Sequence, residues 1–182
     1  AILALHTYPG GLQIGGGVNP ENAGEYLSAG ASHVIVTSYV FKDGRISWEN
    51  LNKMKETVGK EKLVLDLSCR RKDGKYYIVT DRWQKFTDVT MTLDIMKELG
   101  SYCDEFLVHA VDVEGKACGV ETELASMLGE YKGNPVTYAG GVGSMKDIED
   151  LRKYGKDRLD VTVGSALDLF GGNISFSELI KL

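Results

Sequence analysis

Apolar positions recur with two different periods along this 182-residue chain, and the two periods take turns. Short runs rich in Val, Ile and Leu are followed by stretches in which apolar residues return every three or four positions, as on one face of a helix. The runs predict six strands, at Leu12–Gly15, His33–Thr37, Leu63–Leu67, Glu105–Val111, Val136–Ala139 and Asp160–Val163. The patterns between them predict helices at Glu21–Ala29, Trp48–Val58, Leu93–Ser101, Glu121–Tyr131 and Met145–Tyr154. A short helix is expected at Ser177–Lys181, and Ala1–His6 reads as the tail of a helix whose start is absent. Such alternation is the signature of βα units around a parallel sheet.

Capping chemistry agrees with these boundaries. Asn19-Pro20 and Ser144 stand where helix N-caps are needed, and Gly30, Gly59, Gly100 and Gly155 each follow a helical pattern as candidates for the left-handed residue past its end. One connection, Ser68 to about Thr92, is longer than the rest. Its Lys72-Asp73-Gly74-Lys75 stretch, followed by Tyr76-Tyr77-Ile78-Val79, predicts a small hairpin.

The pattern also repeats. Gly15-Gly16-Gly17-Val18 followed by Val34–Ser38 near the start resembles Gly140-Gly141-Val142 followed by Val161–Ser165 near the end. Each copy is a strand ending in glycines, an amphipathic helix, and a second strand ending in a small or hydroxyl residue. Glycines there let backbone N–H groups and a following helix N-terminus cradle an anion, so two copies suggest a substrate with a phosphate at each end. The alternative is a pair of tight turns that bind nothing. Six such units fit a (β/α)₈ barrel better than an open sheet, although a complete barrel needs two more units.

Composition narrows the class. With 43% hydrophobic and 26% charged residues the chain is an ordinary globular one, and a single domain is expected. A net charge of -5 without a dense Lys/Arg stripe argues against a nucleic-acid footprint. No apolar run approaches the ~20 residues of a membrane span. Cys69, Cys103 and Cys118 form no CxxC pair, so a reducing intracellular setting is expected, with no disulfide framework and no metal site.

Asp66 is the sharpest chemical candidate. It interrupts the apolar strand Leu63-Val-Leu-Asp near its carboxyl end, where a partly desolvated carboxyl suits acid–base work; the structural alternative pairs it with Arg70 or Arg71. His109, on the next strand, can touch a substrate at the same mouth or be a satisfied core residue, the reading slightly favoured by a lone strand histidine. Trp83 and Arg82 in the long loop can stack on a ring and reach a phosphate, or pack against the rim. Asp168 reads as a residue that caps or orients the last loop.

Five segments in order carry a family resemblance: Leu12-Gln-Ile-Gly-Gly-Gly-Val18, Leu65-Asp-Leu-Ser-Cys-Arg70, Val108-His-Ala-Val-Asp-Val-Glu-Gly115, Thr137-Tyr-Ala-Gly-Gly-Val142 and Gly164-Ser-Ala-Leu-Asp-Leu-Phe-Gly-Gly-Asn173. Together they resemble the phosphoribosylformimino-5-aminoimidazole carboxamide ribotide isomerases of histidine biosynthesis, in their eukaryotic, plant-like branch. The resemblance implies a (β/α)₈ barrel, of which this chain covers about strands three to eight. It also implies an Amadori rearrangement of an aminoaldose to an aminoketose on a small substrate with two phosphates. Gly16, Gly17 and Ser38 would line one phosphate site, and Gly140, Gly141, Gly164 and Ser165 the other. Asp66 would assist as the acid in ring opening, Trp83 would stack on the substrate, and Arg70 and His109 would contact it.

No cofactor, metal, nucleic acid or membrane is implied, and the compartment would be cytoplasm or plastid stroma. The family's other catalytic aspartate, on its first strand, has no counterpart in these residues. A sixth-strand threonine is replaced by His109-Ala110. The full-length enzyme is expected to be monomeric, while this chain alone would leave a parallel-sheet edge unpaired and self-associate. Two other readings stand beside this one: the cyclase subunit of imidazole glycerol phosphate synthase, and a non-catalytic phosphate-binding barrel fragment.

Overall fold

The computed structural model describes residues 1–181. From the N-terminal side the elements are α1 (Ile2–Thr7), β1 (Leu12–Gly15), α2 (Ala23–Ser28), β2 (Ala31–Val36), β3 (Phe41–Lys42), β4 (Arg45–Ile46), α3 (Trp48–Val58) and β5 (Leu63–Asp66). They continue with β6 (Cys69–Lys72), β7 (Lys75–Thr80), β8 (Lys85–Thr90), α4 (Leu93–Leu99), β9 (Glu105–His109), α5 (Thr122–Gly129), β10 (Val136–Ala139), α6 (Met145–Tyr154), β11 (Leu159–Thr162) and α7 (Phe176–Leu179).

Six strands form one curled parallel sheet in the order β1-β2-β5-β9-β10-β11. Each main strand lies beside the one before it in the chain, and the order never reverses. A doubly wound sheet reverses at a switch point, whereas barrel winding does not. Because all six are parallel, their carboxyl ends lie along one edge, which therefore collects Gly16, Ser38, Asp66, His109, Gly140 and Gly164.

Alternation along the strands decides what faces where. Val34 and Val36, Leu63 and Leu65, Phe106 and Val108, and Val136 and Tyr138 are buried in one core with Leu51 and Met54 of α3, Met96 and Leu99 of α4, and Leu124 and Leu128 of α5. Of the residues of opposite parity, Thr37, Asp66, His109 and Thr137 turn to the other face and remain partly accessible, while Val64 and Ala139 are buried there.

The structure differs from the sequence-based expectation mainly where chain ends meet loops. The strand expected over Glu105–Val111 stops at His109, because the backbone turns into a 3₁₀ segment at Val111–Val113. There Asp112 accepts hydrogen bonds from Arg70 Nε (2.9 Å) and the Arg71 N–H (2.7 Å), which pulls the chain off the ladder. The helix expected from Glu21 begins at Ala23. The Asn19 side chain does cap, but it holds the turn ahead of the helix by accepting from the N–H groups of Glu21 and Asn22. Of the glycines after helices, Gly30 (109°) and Gly59 (80°) do take a positive φ, while Gly100 (−63°) and Gly155 (−78°) do not. They are small for packing: a Cβ on Gly100 would meet the Tyr131 hydroxyl at 2.6 Å, and one on Gly155 would meet Leu159 at 2.6 Å.

The long connection holds more than a hairpin. It forms a three-stranded antiparallel sheet, β6-β7-β8, with Asp73 and Gly74 at the first turn. A second hairpin, β3-β4, was not expected, although Asp43-Gly44 carries the same turn signal. The Asp88 N–H donates to the Gly44 carbonyl (2.7 Å), tying the two additions together. Among the described residues no helix is long and apolar enough to cross a membrane.

The outer edges of β1 and β11 pair with no other strand among the described residues. Gln13 and Gly15 on β1, and Asp160 and Thr162 on β11, are exposed. The isolated 182-residue chain is expected to self-associate through these edges, since unpaired N–H and C=O groups template further pairing. Sedimentation velocity checks this; one monomeric species across all concentrations would contradict it.

Candidate functional site

At the carboxyl edge, the first glycine pair lies where β1 ends. Gly16 and Gly17 have φ of 96° and 73°, which aims their N–H groups away from the ladder. The N–H groups of Gly16, Gly17 and Val18 donate to no described residue. Asn22 steadies this turn by donating from Nδ2 to the Gly17 carbonyl (3.1 Å). Around it opens a cavity of about 730 Å³ lined also by Thr37, Ser38, Asp66, Arg82 and Trp83.

The second pair lies at the end of β10. Gly140 and Gly141 again have positive φ (115° and 77°), and the N–H groups of Gly141, Val142, Gly164 and Ser165 donate to no described residue. They border a smaller cleft of about 80 Å³ together with His109 and Glu114. The helix that follows contributes less than the sequence suggests. The Asp147 carboxylate already takes the N–H groups of Gly143 (2.9 Å) and Ser144 (2.8 Å), so the start of α6 is closed by its own chain. An anion here has the glycine loops of β10 and β11 to bind.

Asp66 and His109 sit between the two cavities, because β5 and β9 are the central strands of the sheet. Asp66 Oδ1 accepts from the Ser68 N–H (2.8 Å) and the Ser68 hydroxyl (2.6 Å), and Oδ2 accepts from Thr37 Oγ1 (3.1 Å). His109 Nδ1 lies 3.5 Å from Asp66 Oδ1 and 3.3 Å from Ser68 Oγ. The expected arginine pairing of Asp66 does not form. Arg70 is taken by Asp112 (2.9 Å) and Arg71 by Glu123 (2.8 Å). Arg70 lines neither cavity; its guanidinium sits over the Phe86 ring, 5.6 Å from the centroid.

His109 is therefore no satisfied core histidine. Burial opposes a positive charge on it, but the hydrogen bond to Asp66, the Asp66 charge and nearby Glu114 outweigh that, so its proton affinity rises above the ordinary histidine value. The indole of Trp83 lies over it, with centroids 5.7 Å apart, and donates from Nε1 to Ser68 Oγ (3.1 Å). Trp83 reaches this place through an unusual turn: Asp81, Arg82 and Trp83 all have left-handed φ, 52°, 56° and 67°. Such conformations cost about 1–3 kcal/mol each and persist where surroundings enforce them. Here the Asp81 N–H contacts Ser38 Oγ (3.4 Å), and Lys85 pairs with Asp81.

Ser68 carries no chemical signal of its own in the sequence, yet it is fully buried and joins Asp66, His109 and Trp83. A serine two residues past a strand aspartate was the available signal. Asp168 does what its sequence position suggests: Oδ1 accepts from the N–H groups of Leu169 (2.8 Å) and Phe176 (3.1 Å), closing the last loop. Burial raises the Cys69 thiol far above its ordinary range and Cys103 to about 12, so neither is a ready nucleophile.

The order of motifs and the geometry they build can be set beside known proteins. A family model described as histidine biosynthesis protein matches residues 5–175. The chain belongs to the histidine biosynthesis protein family. Within that family it is 58% identical, over 99% of its own length, to a chloroplastic isomerase of Medicago truncatula. That relative's name specifies an imidazole-4-carboxamide bearing two 5-phosphoribosyl groups. Isomerases of the same name from Yarrowia lipolytica and Neurospora crassa are 44% and 43% identical over 98% and 100% of this chain. The chain spans 58% of the Medicago relative's length and 71% and 72% of the two fungal ones.

Proposed function

We propose that this chain forms most of an isomerase that converts an aminoaldose carrying a phosphate at each end into the corresponding aminoketose, a step of histidine biosynthesis. One observation carries the reading: the Asp66–His109 pair stands between two glycine loops whose N–H groups lack protein acceptors among the described residues. Gly16, Gly17 and Ser38, with the Arg82 guanidinium at the same cavity, suit one phosphate. Gly140, Gly141, Gly164 and Ser165 suit the other. The names of the family relatives point the same way, since their substrate has two phosphoribosyl groups.

The chemistry such a site supports is redox-neutral proton movement. A ribose ring must open, which needs a proton on its ring oxygen, and a proton must then leave the neighbouring carbon. Asp66 assists as the carboxylate of the acid, and Trp83 offers a planar surface for the heterocycle. The phosphates fix the reacting carbon by their distance from both ends, so binding energy far from the reaction aligns it. No cofactor enters these steps. We read the six βα units as strands three to eight of a (β/α)₈ barrel, which the unreversed strand order supports. The chloroplastic relative makes the plastid stroma the favoured compartment.

The test supplies the doubly phosphorylated aminoaldose to the purified native gene product and follows aldose and ketose by NMR. Conversion without added ammonia or reductant is the expected result. Binding without conversion would instead favour a non-catalytic phosphate-binding role.

A further inference from the structure

Asp66 and Trp83 carry the two tasks named above, one to exchange a proton and one to support the heterocycle. Among the described residues no hydrogen bond joins them. Both are held instead by a single oxygen, Oγ of Ser68, which lies just past the end of β5 and is fully buried. Its backbone is fixed as well, since the Ser68 carbonyl accepts from the Val79 N–H of β7 (2.9 Å).

The protons around this oxygen are few enough to place. An indole can only donate, so Ser68 Oγ accepts from Trp83 Nε1 (3.1 Å). An ionised carboxylate can only accept, so the one hydroxyl proton goes to Asp66 Oδ1 at 2.6 Å. The Ser68 N–H reaches the same Oδ1 at 2.8 Å, and that oxygen is therefore held twice by one residue. Oδ2 accepts from Thr37 alone (3.1 Å) and keeps a free lone pair beside the cavity that Asp66 and Trp83 both line. The carboxyl is thus turned so that Oδ2 is the oxygen left to exchange a proton with a ligand.

The indole has a comparable need. Asp81, Arg82 and Trp83 all sit in left-handed backbone, a conformation that persists only where surroundings enforce it. Ser68 Oγ is the one hydrogen-bond acceptor of the Trp83 side chain among the described residues. His109 backs the arrangement, with its ring 5.7 Å from the indole and Nδ1 3.3 Å from Ser68 Oγ.

We propose that Ser68 is a positioning residue that couples the seating of Trp83 to the orientation of the Asp66 carboxyl through one shared hydroxyl. The assignment rests on the isomerase reading above. Ser68 lines neither cavity, so it acts through its neighbours and not on the substrate. A hydroxyl that accepts a hydrogen bond donates a stronger one, because each bond polarises the next. Loosening the indole therefore loosens the hold on Asp66, and the reverse.

The experiment uses the native gene product and two readouts. Ser68→Ala should lower kcat by about 10- to 10²-fold, the cost of a misplaced reacting group, and raise KM by about 2- to 10-fold as the aromatic contact loosens. Trp83→Phe keeps an aromatic face and removes the N–H. Combined with Ser68→Ala, it should leave kcat at least about threefold above the product of the two single losses, because the shared bond can be lost only once. In ¹H–¹⁵N NMR the Trp83 indole signal, identified by its absence from Trp83→Phe, should exchange slowly with solvent in the wild type and at least about tenfold faster in Ser68→Ala. Trp83→Phe alone keeps the test decisive should Ser68→Ala fail to fold: it should lower kcat by about threefold or more, whereas a stacking role alone would raise KM and leave kcat unchanged. A Ser68→Ala protein with a lower melting temperature but wild-type kcat and KM, losses that multiply in the double variant, or a Trp83 indole signal indifferent to Ser68 overturns the coupling and leaves the isomerase reading intact. A wild-type protein inert on the aminoaldose overturns both.

Discussion

Asp66→Asn is expected to cut kcat by about 10²- to 10⁴-fold, a barrier increase of about 3–5 kcal/mol, while the protein stays folded. The substitution keeps the shape of the side chain and removes its charge. The amide oxygen can still accept the Ser68 N–H and hydroxyl that Oδ1 accepts now, and the Thr37 hydroxyl can rotate to accept from the new NH₂ instead of donating. Stability should therefore drop by only about 1 kcal/mol, the size of one exchanged hydrogen bond. What disappears is the anion beside Nδ1 of His109, 3.5 Å away, which favours the protonated ring. Steady-state kinetics with a thermal melt on the same sample separates the two effects. Normal turnover would remove Asp66 from the mechanism; a large loss of melting temperature would make its role structural.

Gly141→Ala should be the most damaging of the glycine substitutions. A left-handed φ of 77° costs an alanine about 1–2 kcal/mol. The added Cβ would also lie 2.1 Å from the Gly119 carbonyl oxygen and 2.9 Å from Val113 Cγ2. The first of these is backbone and cannot swing aside, and the Gly119 N–H is itself bonded to the Gly141 carbonyl at 3.2 Å. The second glycine loop and the segment after β9 are thus interlocked, and moving one moves the other. A destabilisation above about 3 kcal/mol is expected, with weaker binding of phosphate-bearing ligands. Gly17→Ala is the control: its φ is similar (73°), but nothing lies within 4 Å of the added carbon. It should cost only about 1–2 kcal/mol. Urea midpoints for the pair check this, and equal losses would show that φ alone, not crowding, decides both.

Much of the fold was legible because its causes are local. All six main strands were predicted within two residues at each end, since a buried parallel strand is a short run of Val, Ile and Leu. The glycine loops were legible for the same kind of reason: positive φ at Gly16, Gly17, Gly140 and Gly141 needs a residue without Cβ. The β3-β4 hairpin was missed although its Asp43-Gly44 turn matches Asp73-Gly74. With only two residues per strand it offers no alternation to count. Gly100 and Gly155 followed helices as expected, but for want of space rather than of φ. A sequence cannot distinguish those causes, because crowding comes from residues far away in the chain.

The candidate site divides in the same way. Asp66 stood out as a carboxylate in an apolar strand, and Trp83 as an aromatic in a long loop. Their partners did not. Ser68 looks like an ordinary loop serine, and His109 like a core histidine, until β5 and β9 are laid side by side.

The sequence by itself determined the alternation of strands and helices, the positions of the glycine turns, and the presence of one carboxylate at a strand end. Each follows from periodicity or backbone sterics within a few residues. Only the tertiary structure decided that Asp66 meets Thr37, Ser68 and His109 rather than Arg70 or Arg71, and that Trp83 folds back over the imidazole. Apart from the local Asp66–Ser68 bond, these contacts join distant positions: Thr37 and Asp66 are 29 residues apart, and Ser68 and His109 are 41 apart. Their distances are set by the parallel register of neighbouring strands, which brings the strand ends together along one edge, and by a turn of three left-handed residues that no local preference favours.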